Sequence, residues 1–194
     1  RPGVVILIDY CGFNFHLARA AKKLGIPVIY YICPQIWAHG PWRVKKMKKL
    51  VDKVIVIYPF EKSLYDKAGV PAVYAGHPLF DEINKIGVDE DMVSGLRKPE
   101  AERIISFLPG SRRQEIVRLL PMFLRSAALV KQAIPSVRFI ISCNDVQHLD
   151  LVTALAKEVD VPYKIVVGNA HEIIKASDLC MASSGTVTLQ IAYF

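Results

Sequence analysis

Three continuous apolar runs in the first third of the chain, at residues 4–8, 28–32 and 54–57, limit the fold more than any other feature. Each is short, rich in β-branched residues and free of the polar alternation of a half-exposed strand. Each is therefore expected to be a parallel strand buried on both faces. Segments with helical spacing, at 15–24, 44–50 and 60–68, separate and follow them. Gly25-Ile26-Pro27 and Gly69-Val70-Pro71 repeat one stop signal, glycine past a helix end and proline before the next strand. A short strand at 72–74 closes this βαβαβα pattern.

Residues 84–102 change character, with many charges and Gly87, Gly95 and Pro99. This stretch reads as a linker with room for a short helix. Strands are then predicted at 104–108, 137–142, 164–167 and 179–182, with helices at 114–133, 149–159 and 170–176. Pro121 is expected to divide the first of these helices. The fold class is α/β, with two doubly wound, Rossmann-like domains in tandem at 1–84 and 103–194, joined by 85–102. Ligands of such sheets bind at the carboxyl ends of the strands, which puts Asp9 and Arg112 on functional edges.

The second domain has two turns suited to anions. In FLPGSRRQE, an apolar run stops at Pro109-Gly110-Ser111-Arg112 and a helical pattern follows. Free N–H groups of a helix's first turn, the positive end of its dipole and an arginine together favour phosphate. Ala182-Ser183-Ser184-Gly185-Thr186 makes a second such turn. The pair points to a nucleotide or sugar-nucleotide binder, although either turn alone also serves as an ordinary strand-to-helix connection. The first domain offers Asp9, directly after Ile6-Leu7-Ile8. A carboxylate there acts either as a general base or as a cap for its own loop, which Gly12 and Asn14 extend.

Residues 30–42, YYICPQIWAHGPW, carry many aromatics, with Trp37 and Trp42 around His39 and Gly40. Arg43, Lys45, Lys46, Lys48 and Lys49 follow, with Val44, Met47 and Leu50 three apart. A basic helix beside tryptophans suits an anionic phospholipid surface; the alternative is a solvated face over an apolar stripe. No nucleic-acid motif accompanies the charge, so nucleic acid is not an expected partner. His77, in Gly76-His77-Pro78, either meets a ligand or bonds the neighbouring loop. Asp89-Glu90-Asp91 spells a metal-binding DxD but fits acidic residues opening a short helix better. The absence of GxxxxGK[ST] and GxGxxG argues against a P-loop nucleotidase and a dinucleotide dehydrogenase.

Composition sets the outer bounds. The chain has 194 residues, 52% of them hydrophobic, and a net charge of +7, with a pI near 9.2; such a balance favours acidic partners. No apolar run reaches the roughly 18 residues of a membrane span. Cys11, Cys33, Cys143 and Cys180 are scattered without CxxC spacing, as expected of reduced thiols in a cytosolic protein. The first residue is arginine and the last helical pattern stops short, so a piece of a longer enzyme is expected.

Five segments together resemble one enzyme family: ILIDYCGFN at 6–14, YYICPQIWAHG at 30–40, YPFEKSLYDKAGVPAVYAGHPLFD at 58–81, FLPGSR at 107–112 and ASSGTVTLQ at 182–190. They are similar, in order, to motifs of the lipid-A-disaccharide synthases. The resemblance implies a GT-B-type fold of two Rossmann-like domains facing a cleft. It also implies an inverting, metal-independent hexosyl transfer that needs no cofactor. The substrates implied are UDP-2,3-diacylglucosamine and 2,3-diacylglucosamine 1-phosphate, and the place is the cytoplasmic face of the inner membrane, as a peripheral protein. Asp9 falls on the family's essential carboxylate and Arg112 on the arginine of PGSR, with Gly110 and Ser111 in its turn. Ser183, Ser184, Gly185 and Thr186 match the turn near UDP. Gln190 stands where a glutamate is usual and keeps a hydrogen bond to ribose without its charge. Gly12 stands where some members carry a second aspartate. The competing readings are a UDP-sugar 2-epimerase of similar architecture and a non-catalytic module that docks on anionic membranes.

Overall fold

The computed structural model describes residues 1–38, 40–97 and 103–194; His39 and residues 98–102, including Pro99, lie outside that description. The chain divides into two compact units, Arg1–Lys85 and Ile86–Phe194.

The first unit runs β1 (Val5–Ile8), α1 (Cys11–Lys23), β2 (Val28–Tyr31), α2 (Arg43–Leu50), β3 (Lys53–Val56), α3 (Pro59–Lys67) and β4 (Ala72–Tyr74), followed by α4 (Pro78–Ile86). Its four strands are parallel in the order β1-β2-β3-β4, with Val5 opposite Val28, Ile29 opposite Lys53 and Val54 opposite Ala72. Consecutive parallel strands joined by right-handed crossovers put every connecting helix on one face. Accordingly, Phe15, Ala18, Met47 and Tyr65 from α1, α2 and α3 bury one face of Leu7, Val28, Tyr30, Val54 and Val56 in a single core. Each large apolar side chain buried this way contributes about 1.5–3 kcal/mol. The expectation of burial on both faces fails for β1. Ile6 and Ile8, which point to the other face, are each 57% exposed, while α1, α2 and α3 pack their buried side chains on the opposite face.

The second unit runs α5 (Glu90–Leu96), β5 (Ile104–Leu108), α6 (Arg113–Ala133), β6 (Arg138–Cys143), a 3₁₀ turn at Val146–His148, α7 (Leu149–Ala156), β7 (Tyr163–Val167), α8 (Ala170–Ala176), β8 (Leu179–Ala182) and α9 (Thr186–Tyr193). The strand order is β7-β6-β5-β8, all parallel. The chain therefore winds outward from β5 to β7 and then returns to its other side at β8. Both faces are covered here. Phe107, Phe139 and Ile141 pack against Ile116, Leu120 and Leu124 of α6, while Ile104, Ile140 and Val166 pack against Val93 and Leu96 of α5 and Ile173 of α8. The hydrophilic stretch read as a linker thus holds α5, which supplies core side chains to this unit. Asp89 caps α5 by accepting from the Met92 N–H at 3.0 Å, and Glu90 pairs with Lys175; the acidic triplet opens a helix.

Pro121 does not divide α6, which is continuous from Arg113 to Ala133. Proline inside a helix costs about 3 kcal/mol or more, but the buried stripe Ile116, Leu120, Phe123, Leu124 and Ala127 spans both sides of it and offsets the loss.

The amino ends of the two sheets are tied by the same device. Asp52, just before β3, accepts from the Val28 N–H at 2.8 Å and from Lys22 at 2.6 Å. Asp178, just before β8, accepts from the Ile104 N–H at 2.8 Å and pairs with Arg97 and Arg103 at 3.4 Å. The Lys22 ammonium and the Val28 N–H hold the Asp52 carboxyl below the usual carboxylate range. The Ile104 N–H does so for Asp178, with Arg97 and Arg103 adding to it.

Candidate functional site

The strand order of the second unit reverses between β5 and β8, and a cavity of about 420 Å³ opens at the carboxyl ends of these two strands. Such a reversal separates the loops that leave neighbouring strands and leaves a crevice between them. Both predicted anion turns line it. Gly110, Ser111 and Arg112 come from the β5–α6 turn, Ser183, Ser184, Gly185 and Thr186 from the β8–α9 turn, and Gln190 from α9. Ser142, Asn144 and Ala170 also line the cavity. Ser142 lies near the end of β6, Asn144 just after it and Ala170 at the start of α8; they carry no motif, so no sequence signal marked them.

The first turn gathers its donors on a carboxylate of its own helix. Gly110 has φ 116°, and a Cβ there would lie 2.2 Å from Oε2 and 2.8 Å from Cβ of Glu115. Only glycine fits. The Glu115 carboxylate accepts from the N–H groups of Ser111 at 3.1 Å and Arg112 at 3.3 Å, and Arg112 pairs with it at 3.1 Å. One carboxylate thus gathers two backbone donors and a guanidinium, the same donors an oxygen-rich ligand uses. Glu115 was not among the sequence candidates, although its place three residues into α6 is the spacing of a capping box. The Arg112 side chain is 81% exposed, with the cavity open before it. The second turn differs. Gly185 sits at φ 154° and ψ −157° with no side-chain cap, and the first turn of α9 has no acidic residue. Its leading N–H groups are available to an anion. Gln190 lies 3.5 Å from His171.

The carboxyl edge of the first sheet is built from strain. Asp9 and Tyr10, two successive non-glycine residues, have φ of 46° and 38°, and Ile32, at the exit of neighbouring β2, has φ of 53°. Left-handed backbone at such residues persists only where the surroundings over-determine it. Here Asn14, buried in α1, donates to the carbonyls of Ile8 at 2.9 Å and Asp9 at 2.7 Å. The Tyr30 hydroxyl donates to the same Asp9 carbonyl at 2.6 Å. Burial pushes the Tyr30 phenol up to about 12, so it remains a donor at neutral pH. With the backbone so clamped, the Asp9 carboxylate is exposed, and α1 has no side-chain cap. The capping alternative therefore does not describe Asp9. The sequence marked Asn14 only as part of a turn, and it did not mark Tyr30.

The aromatic segment is anchored rather than loose. The Tyr65 hydroxyl donates to the Pro34 carbonyl at 2.7 Å. Glu61, 1% exposed, accepts from the Trp37 indole at 3.0 Å and from the Tyr58 N–H at 3.3 Å. Trp37 meets Phe60 edge-on at 5.2 Å, Phe60 stacks on Tyr58 at 5.7 Å, and His77 lies between Tyr58 and Phe80. His77 bonds its own loop, accepting from the Leu79 N–H at 3.2 Å. Burial pushes the Cys33 thiol up to about 12, with the neighbouring Glu61 adding to it; the thiol stays neutral.

The five cations do not share one face of α2. Arg43 and Lys46 line a second cavity with α1, and Lys48 lies over the Gly69 turn. Lys45, Lys46, Lys48 and Lys49 are all exposed, as is Trp42. Among the described residues, no group of three or more His, Cys, Asp or Glu is placed to hold a metal ion. No helix among them is long and apolar enough to cross a membrane.

Comparison with known proteins adds the family. A solved putative UDP-N-acetylglucosamine 2-epimerase from Listeria monocytogenes superposes with a TM-score of 0.61 over 95% of this chain and 52% of its own. At 11% identity that likeness shows the fold alone, an α/β pair of Rossmann-like units of GT-B type. Three relatives are named lipid-A-disaccharide synthase. That of Trichlorobacter lovleyi is 39% identical over 191 residues, 98% of this chain and 50% of its own. The first such enzyme of Legionella pneumophila is 41% identical over 196 residues, and that of Coxiella burnetii 39% over 196; these cover 99% and 98% of this chain and 50% of their own. The chain spans about half the length of the curated relatives it matches. The family described as lipid-A-disaccharide synthetase matches residues 1–194, and the chain belongs to that family.

Proposed function

We propose that this chain carries substrate-binding and catalytic residues of a lipid-A-disaccharide synthase. The reaction joins UDP-2,3-diacylglucosamine to 2,3-diacylglucosamine 1-phosphate and releases UDP. The observation that carries the reading is the β5–α6 turn, whose N–H groups and arginine already gather the Glu115 carboxylate at the strand-order reversal, in a chain matched by the family over its whole length.

In this reading the second unit holds the donor. Arg112 and the N–H groups around Gly110, Ser111 and Ser184 to Thr186 take the pyrophosphate with the Ser183 side chain beside them, and Gln190 takes a ribose hydroxyl. The first unit serves the acceptor. Asp9 removes the proton from the acceptor's 6-hydroxyl as that oxygen attacks the anomeric carbon from the side opposite the leaving group. The bond from that carbon to the β-phosphate oxygen breaks, its electron pair leaves with UDP, and the centre inverts. Charge developing on the leaving pyrophosphate is stabilised by fixed donors, an effect worth several kcal/mol at a preorganised site.

The protein would act as a peripheral protein at the cytoplasmic face of the inner membrane, with Trp42, Lys45, Lys48 and Lys49 on anionic headgroups. Removing those three lysines should forfeit on the order of 3 kcal/mol of surface attraction, at about 1 kcal/mol each. Sedimentation of the full-length variant with anionic vesicles checks this; equal sedimentation with wild type at every salt concentration contradicts it. For the reaction itself, release of UDP by the full-length protein is measured with and without acylated acceptor. Release only with both substrates supports transfer. Interconversion of the UDP-sugar without acceptor would make the protein an epimerase, and vesicle binding without any turnover would make it a docking module.

A further inference from the structure

The first unit has a cavity of its own, about 280 Å³, between the start of α1 and the start of α2. His16 and Arg19 from α1 and Arg43 and Lys46 from α2 line it, with the Trp42 indole on its rim. Among the described residues none of these four basic side chains is in an ion pair. Elsewhere in the same unit Lys22 and Lys62 are matched to Asp52 and Asp66. Converging cations without counterions repel one another, so a cavity that collects three permanent positive charges gains from an anion. The walls are also fixed. Lys46 lies over the Phe15 ring at 5.8 Å. At Gly40, with φ 72°, a Cβ would meet the Trp42 ring at 3.1 Å and Arg43 Nε at 3.2 Å, so the glycine lets both pack onto its turn. No acidic residue lies in the first turn of α1, whose Cys11 and Gly12 also border the cavity.

We infer that this cavity binds a phosphate monoester and, on the reading above, that it takes the 1-phosphate of the acceptor sugar. Two features select a small phosphorylated sugar. The volume suits a phosphate with part of a ring. The cavity also begins at Cys11, two residues after Asp9, so one short segment serves both ends of the acceptor: α1 and α2 hold the phosphate, and Asp9 meets the hydroxyl. Arg43 and Lys46 thereby leave the set of lipid contacts and become acceptor-binding residues, and Arg19, which no motif marked, joins them.

The test is a phosphorus NMR titration of the full-length protein with glucosamine 1-phosphate, which carries the phosphate without acyl chains. Arg19→Gln and Lys46→Gln should each weaken binding roughly 10- to 100-fold, as for a lost hydrogen bond to a charged group, while UDP affinity stays at the wild-type value. No binding to wild type, equal binding to wild type and both variants, or parallel loss of UDP would overturn the assignment. A lipid phosphate is the competing source. If Arg19→Gln abolishes sedimentation with phosphatidic acid vesicles but leaves glucosamine 1-phosphate binding intact, the cavity is a headgroup site and the acceptor assignment falls. The reading of the reaction is tested separately. Binding as expected with no disaccharide formed removes the reaction and leaves the cavity; transfer by wild type with variants indifferent in the titration does the reverse.

Discussion

At their amino ends the two sheets are tied by the same device, and at their carboxyl ends they are built by opposite ones. Asp52 and Asp178 each precede a strand and accept from the first N–H of a neighbouring strand at 2.8 Å. At the other end, the first sheet presents an acidic side chain on left-handed, non-glycine backbone, held by a buried asparagine and a tyrosine hydroxyl. The second sheet presents two glycine turns, and the N–H groups of the β5–α6 turn collect a carboxylate. The amino edges need only strength, and one economical tether serves both. On the function proposed above, the carboxyl edges need different chemistry: a proton is taken by a side chain, whereas the donor's pyrophosphate is met by backbone N–H groups together with a guanidinium.

The largest effect should come from the aimed side chain. Asp9→Asn keeps the shape and removes the base, so turnover of the full-length enzyme should fall about 10²–10⁴-fold. A variant that retains more than a tenth of wild-type turnover would remove Asp9 from that role. Next comes Arg112→Ala, which deletes the guanidinium from the anion turn. UDP affinity should weaken by about 1.5–3 kcal/mol, the worth of a hydrogen bond to a charged group, with turnover falling alongside it. Unchanged UDP affinity and turnover would take the arginine out of the site.

The backbone half of the comparison is tested by a pair of alanines. Gly110→Ala puts a side chain at φ 116° against Glu115 and should destabilise the second unit by about 1–3 kcal/mol. Gly12→Ala, in α1 with open space around its Cβ, should be neutral or stabilise the first unit by about 0.4–1 kcal/mol. Urea unfolding of the two variants reads both, and equal losses would erase the distinction between the edges. The smallest effect belongs to the amino tethers. Asp52 and Asp178 are held below the usual carboxylate range, so the stability they give is complete above their unfolded value of about 3.9. It is lost as pH falls through their lower folded values. With side chains 44% and 29% exposed, screening keeps each contribution to about 1 kcal/mol or less. Asp52→Asn and Asp178→Asn should therefore flatten acid unfolding below about pH 4 by similar small amounts; a large change from one alone would show that the tethers are not equivalent.

Much of this was legible in the sequence for local reasons. Eight strands follow from short β-branched runs, and both strand-to-helix turns follow from Gly110 and Gly185, because glycine admits the positive-φ backbone that other residues rarely adopt. What escaped depends on distant neighbours. Nothing near Pro121 says that a buried stripe will carry the helix through it. Nothing in Ile6 and Ile8 says that three helices will all choose the other face. Glu61 reads as an ordinary helix glutamate until Trp37, 24 residues away, donates to it. Arg43 and Lys46 read as one basic face with Lys45 and Lys49 until α1 closes a cavity against two of them. Composition and spacing record which charges a helix carries but not which neighbour it will meet.

The division of labour between the two edges is tested most directly by calorimetric titration of UDP into full-length wild type, Asp9→Asn and Arg112→Ala. Affinity should stay at the wild-type value for Asp9→Asn, despite its lost turnover, and weaken about 10- to 100-fold for Arg112→Ala. Equal loss of UDP binding in both variants, or loss in Asp9→Asn alone, would contradict it.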